Sequence, residues 1–298
     1  MKTPAWLAIA AFAGALLLTP PLMAQEGMTW REVPQSDLVF LELLLTDGRK
    51  GTVVVELNDR FAPRTAEQFR RLVKADFYRG LSFYRVIDGF VAQGGDGSDI
   101  DQPNDEPNLP AEFEIARDEE QPWTPVQNDD LFAPETGFVD GFAAARDTDH
   151  VWLTHCPGVI AMARNNEPDT GSTDFYIVIG QAPRYLDRNL TIFGRVIHGM
   201  DVVQQVRRGP VHENGIIESD TARTRISDAY LAEDRPTDQQ KVYFVMDTNS
   251  EGFRDYMEAR RHRKHEFFHH TPPPKLDVCQ VPVATRIEKP ASVAQAAD

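Results

Sequence analysis

The residue types able to bind and polarise a ligand concentrate in one stretch, Phe83-Tyr84-Arg85-Val86-Ile87-Asp88-Gly89-Phe90-Val91-Ala92-Gln93-Gly94-Gly95-Asp96. Arg85 and Gln93 stand there among large apolar side chains. A planar guanidinium beside an amide and an apolar floor suits a neutral, amide-containing ligand. Val86 and Ile87 are strand formers, Asp88-Gly89 is a turn signal, and Gly94-Gly95 allows an unusual backbone path or a close approach. The stretch reads as two short strands holding one buried arginine and one glutamine. A buried amide must have partners, which favours a site over plain core for Gln93.

Three other groupings have chemical potential. His155 adjoins Cys156, but neighbours on a strand point to opposite faces, which argues against a Cys-His nucleophile pair. Asp99, Asp101, Asp105 and Glu106 offer hard oxygen ligands, yet their spacing fits no EF-hand loop, and a solvated acidic loop is the simpler reading. Near the C-terminus, a helix carrying Phe253, Tyr256 and Met257 on one face runs into Arg260-Arg261-His262-Arg263-Lys264-His265. His262, His265 and His269 at helical spacing suit a transition metal, but no acidic or Cys ligand is near. Basic residues at a helix C-terminus complement its dipole, which is the plainer explanation. No metal and no cofactor is expected.

The elements that must position Arg85 and Gln93 follow from periodicity. Residues 38–45 and 51–57 read as strands joined by the turn Thr46-Asp47-Gly48-Arg49. Pro63 opens a helix in which Ala66, Phe69, Leu72 and Val73 recur on one face, with Arg64, Glu67, Arg70 and Arg71 solvated. Residues 97–157 form a long irregular insertion; residues 112–115 predict a short strand returning to the main sheet, and 137–145 a short helix or packed loop. Residues 158–164, 174–179, 191–196 and 223–231 predict further strands, with a loop at 165–172, a helix start at Gly199-Met200-Asp201 and an irregular excursion at 209–222. A polar, irregular lead-in covers 25–37, and an extension, 234–298, adds a strand at 241–246 and the helix capped by Ser250.

The central stretch resembles the signature of the cyclophilin family of peptidyl-prolyl isomerases, Phe-His-Arg-x-Ile-x-Gly-Phe-x-x-Gln-Gly-Gly-Asp, with Tyr84 in place of its His. Gly158 to Ala163, Thr173 to Ile177, Leu186-Asp187 and Thr191 to Val196 are similar to its later blocks, in order, so the likeness spans about 38–231. The resemblance implies a mainly β fold: a closed antiparallel barrel over 38–233, capped by two α-helices, with the C-terminal extension packed outside. It also implies roles. Arg85 would be the catalytic guanidinium, with Gln93 bonding the substrate carbonyl and orienting Arg85. Phe90, Val91, Tyr176 and Leu186 would line a proline pocket walled by Tyr185, and the backbone at Ala163 and Arg164 would grip the preceding peptide. The family often carries Trp at position 185, His at 190 and Phe at 176, where this chain has Tyr185, Leu190 and Tyr176. The smaller wall at Tyr185 predicts weakened affinity for the family's macrocyclic inhibitor.

Composition limits the partners. A net charge of −15 opposes nonspecific binding to nucleic acid or anionic membrane, which needs a basic surface. Lys2, the apolar run 5–18 and Leu22-Met23-Ala24 read as an export signal, residues 1–24, too short for a comfortable membrane span. The expected location is a bacterial periplasm, with Pro-containing polypeptides as substrates, no membrane insertion after cleavage and a monomeric chain. The two cysteines, Cys156 and Cys279, are either one disulfide or two thiols. An alternative to the isomerase is a chaperone or scaffold module that grips Pro-containing segments with little turnover.

Overall fold

The computed structural model describes residues 27–97 and 105–288; the expected export signal and the acidic residues Asp99 and Asp101 lie outside them. Leu38–Leu44 and Lys50–Leu57 pair over their length, Leu38 opposite Glu56 and Leu44 opposite Lys50. Alternation sends Val39, Leu41, Leu43, Val53, Val55 and Leu57 into one core, where they meet Phe69, Phe83, Phe175 and Phe193.

Eight strands close the barrel. Their order around it is Val159–Met162, Phe175–Val178, Val91–Gly95, Ser82–Val86, Thr224–Leu231, Leu38–Leu44, Lys50–Leu57 and Ile192–His198, which returns to the first. All neighbours are antiparallel. The helix Pro63–Lys74 caps it, burying Ala66, Phe69, Leu72 and Val73. Its own N-cap, Ala62, has no side-chain acceptor; the Glu112 carboxylate accepts from Arg64 N and Thr65 N instead. Arg70 departs from the expected solvated face, because Asp37 and Asp59 hold its half-buried guanidinium. The second cap is a single turn, Met200–Val203.

The insertion is far more regular than the sequence suggests. Five antiparallel strands lie in the order Ile115–Ala116, His150–Leu153, Phe142–Arg146, Glu135–Val139 and Thr124–Asn128. Residues 137–145 are therefore neither helix nor loop but most of a hairpin, turned at Asp140 and Gly141 with positive φ. Nor does 112–115 return to the barrel: Ile115–Ala116 pairs with His150–Leu153 inside the insertion. Helix propensity in Ala143, Ala144 and Ala145 loses here to pairing on both sides.

The lead-in is also not wholly irregular. Trp30–Glu32 pairs with Val242–Met246, which pairs in turn with Thr285–Glu288. Ser250 Oγ accepts from Phe253 N at 3.2 Å, capping the helix Glu251–Arg261 as expected. Phe253, Tyr256 and Met257 join Phe138 and Val139 of the insertion and Val91 and Tyr176 of the barrel in a second core. Cys156 and Cys279 are joined as a disulfide, fastening the extension to the end of the insertion. Among the described residues, no helix is long and apolar enough to cross a membrane.

Candidate active site

The barrel brings the sequence-predicted residues into one row on its outer face. Arg85 lies opposite Gln93, Gln93 opposite Tyr176, and Tyr176 opposite Ala161, on four successive strands. Ala92 and Ile177, one residue along, point into the barrel core. The register between Ser82–Val86 and Val91–Gly95 shifts between Ser82 and Arg85. Phe83 and Val86 can then both enter the core while Tyr84 and Arg85 are left beside Gln93.

Hydrogen bonds fix this group. Arg85 Nη1 donates to Gln93 Oε1 at 2.8 Å, and Arg85 Nε to the Asn214 carbonyl at 3.2 Å. Gln93 Nε2 donates to Tyr84 Oη at 2.6 Å, and that hydroxyl donates to Asp174 Oδ2 at 3.1 Å. Gly95 sits at φ +143°, and a Cβ there would come within 2.9 Å of Asp174 Cα, so only glycine lets this strand approach so closely. Among the described residues Arg85 has no carboxylate partner, and its Nη2 makes no hydrogen bond. Burial pulls the guanidinium pKa down, with Tyr84 opposing, but an arginine stays charged.

Beside Arg85 opens a cavity of about 420 Å³, lined by apolar Phe90, Val91, Ala163, Leu186, Leu190 and Ile216 together with the Tyr176 ring. Its polar members are Arg85, Gln93, Arg164 and Asn214. That suits a ring with an adjoining amide. The Ala163 N–H already donates to the Asp174 carbonyl, which narrows the expected backbone grip to the Ala163 carbonyl and the Arg164 backbone. The Arg164 side chain turns away to the carbonyls of Asn165, Asn166 and Asn189. Tyr185, expected as a wall, stands 66% exposed outside the lining. Its neighbour Arg184 is buried against Asp187 and Asp130, leaving Tyr185 to face solvent.

Two contributions escaped the sequence. Asn214 and Ile216 come from the excursion at 209–222, where Ile216 bridges to Arg85. The Asn214-Gly215 pair, both at positive φ, marks a tight turn, but nothing in it says what the turn touches. The other is His155. Residues 154–156 belong to no strand, so alternation does not set where they point, and Cys156 is engaged in the disulfide. Fully buried, His155 contacts Asp187 through Nδ1 at 3.0 Å and the Tyr176 hydroxyl through Nε2 at 2.8 Å. Burial first, then the Asp187 charge, push the Tyr176 hydroxyl pKa well above its usual value.

The C-terminal histidines do not share a helical face. The helix ends at Arg261, whose guanidinium donates to the Val126 carbonyl and Gln127, leaving His265 and His269 in irregular chain. Among the described residues, no three His, Cys, Asp or Glu side chains gather to hold a metal.

Residues 41–230 match the family model described as cyclophilin type peptidyl-prolyl cis-trans isomerase/CLD. A probable peptidyl-prolyl cis-trans isomerase of Brucella suis is 27% identical over 183 residues, which cover 57% of this chain and 74% of the relative. The peptidyl-prolyl cis-trans isomerase of Acinetobacter baylyi is 30% identical over 171 residues, 56% of this chain and 72% of the relative. The crystal structure of cyclophilin AquaCyp293 from Hirschia baltica superposes with a TM-score of 0.71 at 27% identity, covering 89% of this chain and 96% of that one. The structural likeness thus reaches beyond the residues matched by the family model.

Proposed function

Because the chain belongs to the cyclophilin-type peptidyl-prolyl cis-trans isomerase family, we propose that it turns over X-Pro bonds of exported polypeptides by a non-covalent mechanism centred on Arg85. Amide resonance sets a barrier of about 18–20 kcal/mol to rotation about such a bond. Lowering it needs no nucleophile and no cofactor. The enzyme must hold the proline ring, let the preceding carbonyl swing, and bind the twisted state better than either planar one. On twisting, the prolyl nitrogen loses its share in resonance and becomes a hydrogen-bond acceptor.

In this reading the cavity lined by Phe90, Val91, Tyr176 and Leu186 takes the ring. Arg85 donates toward the nitrogen through the Nη2 group that the fold leaves unused. Gln93 both aims Arg85 and offers its amide to the substrate carbonyl. Such a donor helps most where water is excluded and its direction is set beforehand. The observation that carries the reading is a half-buried arginine with no carboxylate partner among the described residues, aimed along an apolar cavity by Gln93 and the Asn214 carbonyl.

Export rests on two features, the apolar run behind Lys2 and the Cys156–Cys279 disulfide, a bond that persists in oxidising compartments such as a periplasm. Mass spectrometry of the protein from fractionated cells tests it: a periplasmic chain starting near residue 25 supports export, and a cytosolic chain retaining residues 1–24 opposes it. Exchange NMR of a short X-Pro peptide tests turnover. Catalytic amounts of protein should merge or broaden the cis and trans signals. A folded protein that binds the peptide without speeding exchange would leave a binding module instead.

A further inference from the structure

His155 is the last residue of the insertion before the disulfide, is fully buried, and does not line the cavity. It nevertheless meets two of the elements that do. Its backbone N–H donates to Asp187 Oδ1 at 2.8 Å, and its ring Nδ1 lies 3.0 Å from the same oxygen. A carboxylate accepts, so Nδ1 carries a proton, and in the neutral imidazole Nε2 then accepts from the Tyr176 hydroxyl at 2.8 Å. The imidazole and the Tyr176 ring are nearly parallel, 12° apart in plane.

Each partner is one step from the proline pocket. Tyr176 gives its ring to the cavity floor while its hydroxyl is turned toward His155. Asp187 follows Leu186, a cavity wall, and its second oxygen accepts from buried Arg184 at 2.5 Å. Arg184 in turn reaches Asp130 of the insertion at 3.3 Å and lies over the Phe132 ring. Floor and wall are thus tied to one imidazole, and that imidazole is held by the insertion and its disulfide.

Tyrosine, histidine and aspartate in series also look like a nucleophile with its base. The hydroxyl is directed at a residue buried away from the cavity, however, and its pKa is raised rather than lowered, so it is not poised to attack. The remaining role is mechanical.

We propose that His155 is a positioning residue for the proline pocket, setting the spacing between the Tyr176 floor and the Leu186 wall and so the affinity for X-Pro segments. This rests on the reading of the cavity as a proline pocket. Replacing His155 by Phe keeps an aromatic ring but leaves a buried hydroxyl without its acceptor. KM for a short X-Pro peptide should rise about tenfold while kcat changes by less than about threefold, the size expected when an untied side chain must be re-ordered as the ring binds. The effect should shrink to less than about threefold when His155→Phe is made on a Tyr176→Phe background, where there is no hydroxyl to orphan. An unchanged KM, or the same fold-change in both backgrounds, overturns the proposal.

A second measurement needs no core substitution. On titrating wild-type protein with the peptide, the His155 ring nitrogens should shift in ¹⁵N NMR in step with Phe90 and Gln93, although His155 touches no ligand. A saturated pocket with an unmoved His155 signal overturns the coupling. If the protein binds the peptide without turnover, the same titration and Kd in place of KM still decide the role of His155.

Discussion

A guanidinium half out of water, next to a neutral amide and with no anion to neutralise it, retains its capacity to stabilise charge that appears only in a transition state. In the proposed mechanism Arg85 plays this part, and its aim depends on Gln93, Tyr84 and Asp174 in succession. Tyr84→Phe removes the middle of that chain. Of the two hydrogen bonds this removes, the one that orients Gln93 is worth about 1 kcal/mol, so kcat/KM should fall by about five- to tenfold in a coupled isomerisation assay, with a Tyr84→His variant recovering much of it. Equal rates for wild type and Tyr84→Phe would show that Gln93 holds Arg85 unaided. Arg85 and Gln93 were legible as a pair because they sit eight residues apart in one hairpin, so the signature and the contact coincide. Asn214 and Ile216 were not, since their contacts with Arg85 close loops of well over a hundred residues.

Strands and helices show the same dependence on range. The barrel strands announced themselves by alternation, and Pro63–Lys74 by its buried face, because each pattern is complete within one segment. The strands of the insertion did not. Phe142–Arg146 is Ala-rich, and Thr124–Asn128 and Glu135–Val139 include a Pro and a Gly; only their pairing makes them strands. Two substitutions test how elements are joined. Gly95→Ala forces a side chain onto a φ of +143° and against the Asp174 backbone. It should lower the melting temperature by several degrees and lower isomerisation with it, because the same strand carries Gln93. Glu56 is nearly fully buried and accepts from Arg195 at 2.8 Å and also from Arg31, linking two barrel strands to the strand Trp30–Glu32. Glu56→Ala leaves Arg195 buried without its anion, a loss of about 3 kcal/mol or more in denaturant midpoint experiments. A loss under about 1 kcal/mol would mean water replaces the carboxylate at no great cost.

Across the whole molecule, a barrel with its own core is wrapped on the site side by a second core shared with the insertion and the extension. The disulfide closes a sequence separation of 123 residues across that second core. Replacing both Cys156 and Cys279 by Ser should cost about 2–5 kcal/mol of stability. Limited proteolysis should then cut first in the extension, with the barrel strands surviving longest. Cleavage no faster than in wild type would show that Phe253, Tyr256 and Met257 hold the extension without the bond. The outline of this arrangement was partly legible: both cysteines and the apolar helix face stand out in the chain. Which surface that face covers was not, because its partners Phe138 and Tyr176 belong to segments far away in sequence.

In the proposed mechanism Arg85 stabilises the twisted amide. The most direct test is catalysed isomerisation of a short X-Pro peptide by wild type and by Arg85→Ala, alongside peptide affinity. Loss of one preorganised donor predicts a fall in kcat of about 10²–10³-fold with affinity for the planar peptide changed only a few-fold. An Arg85→Ala protein that isomerises at the wild-type rate would contradict the account, and the pocket would then have to work by binding the proline ring alone.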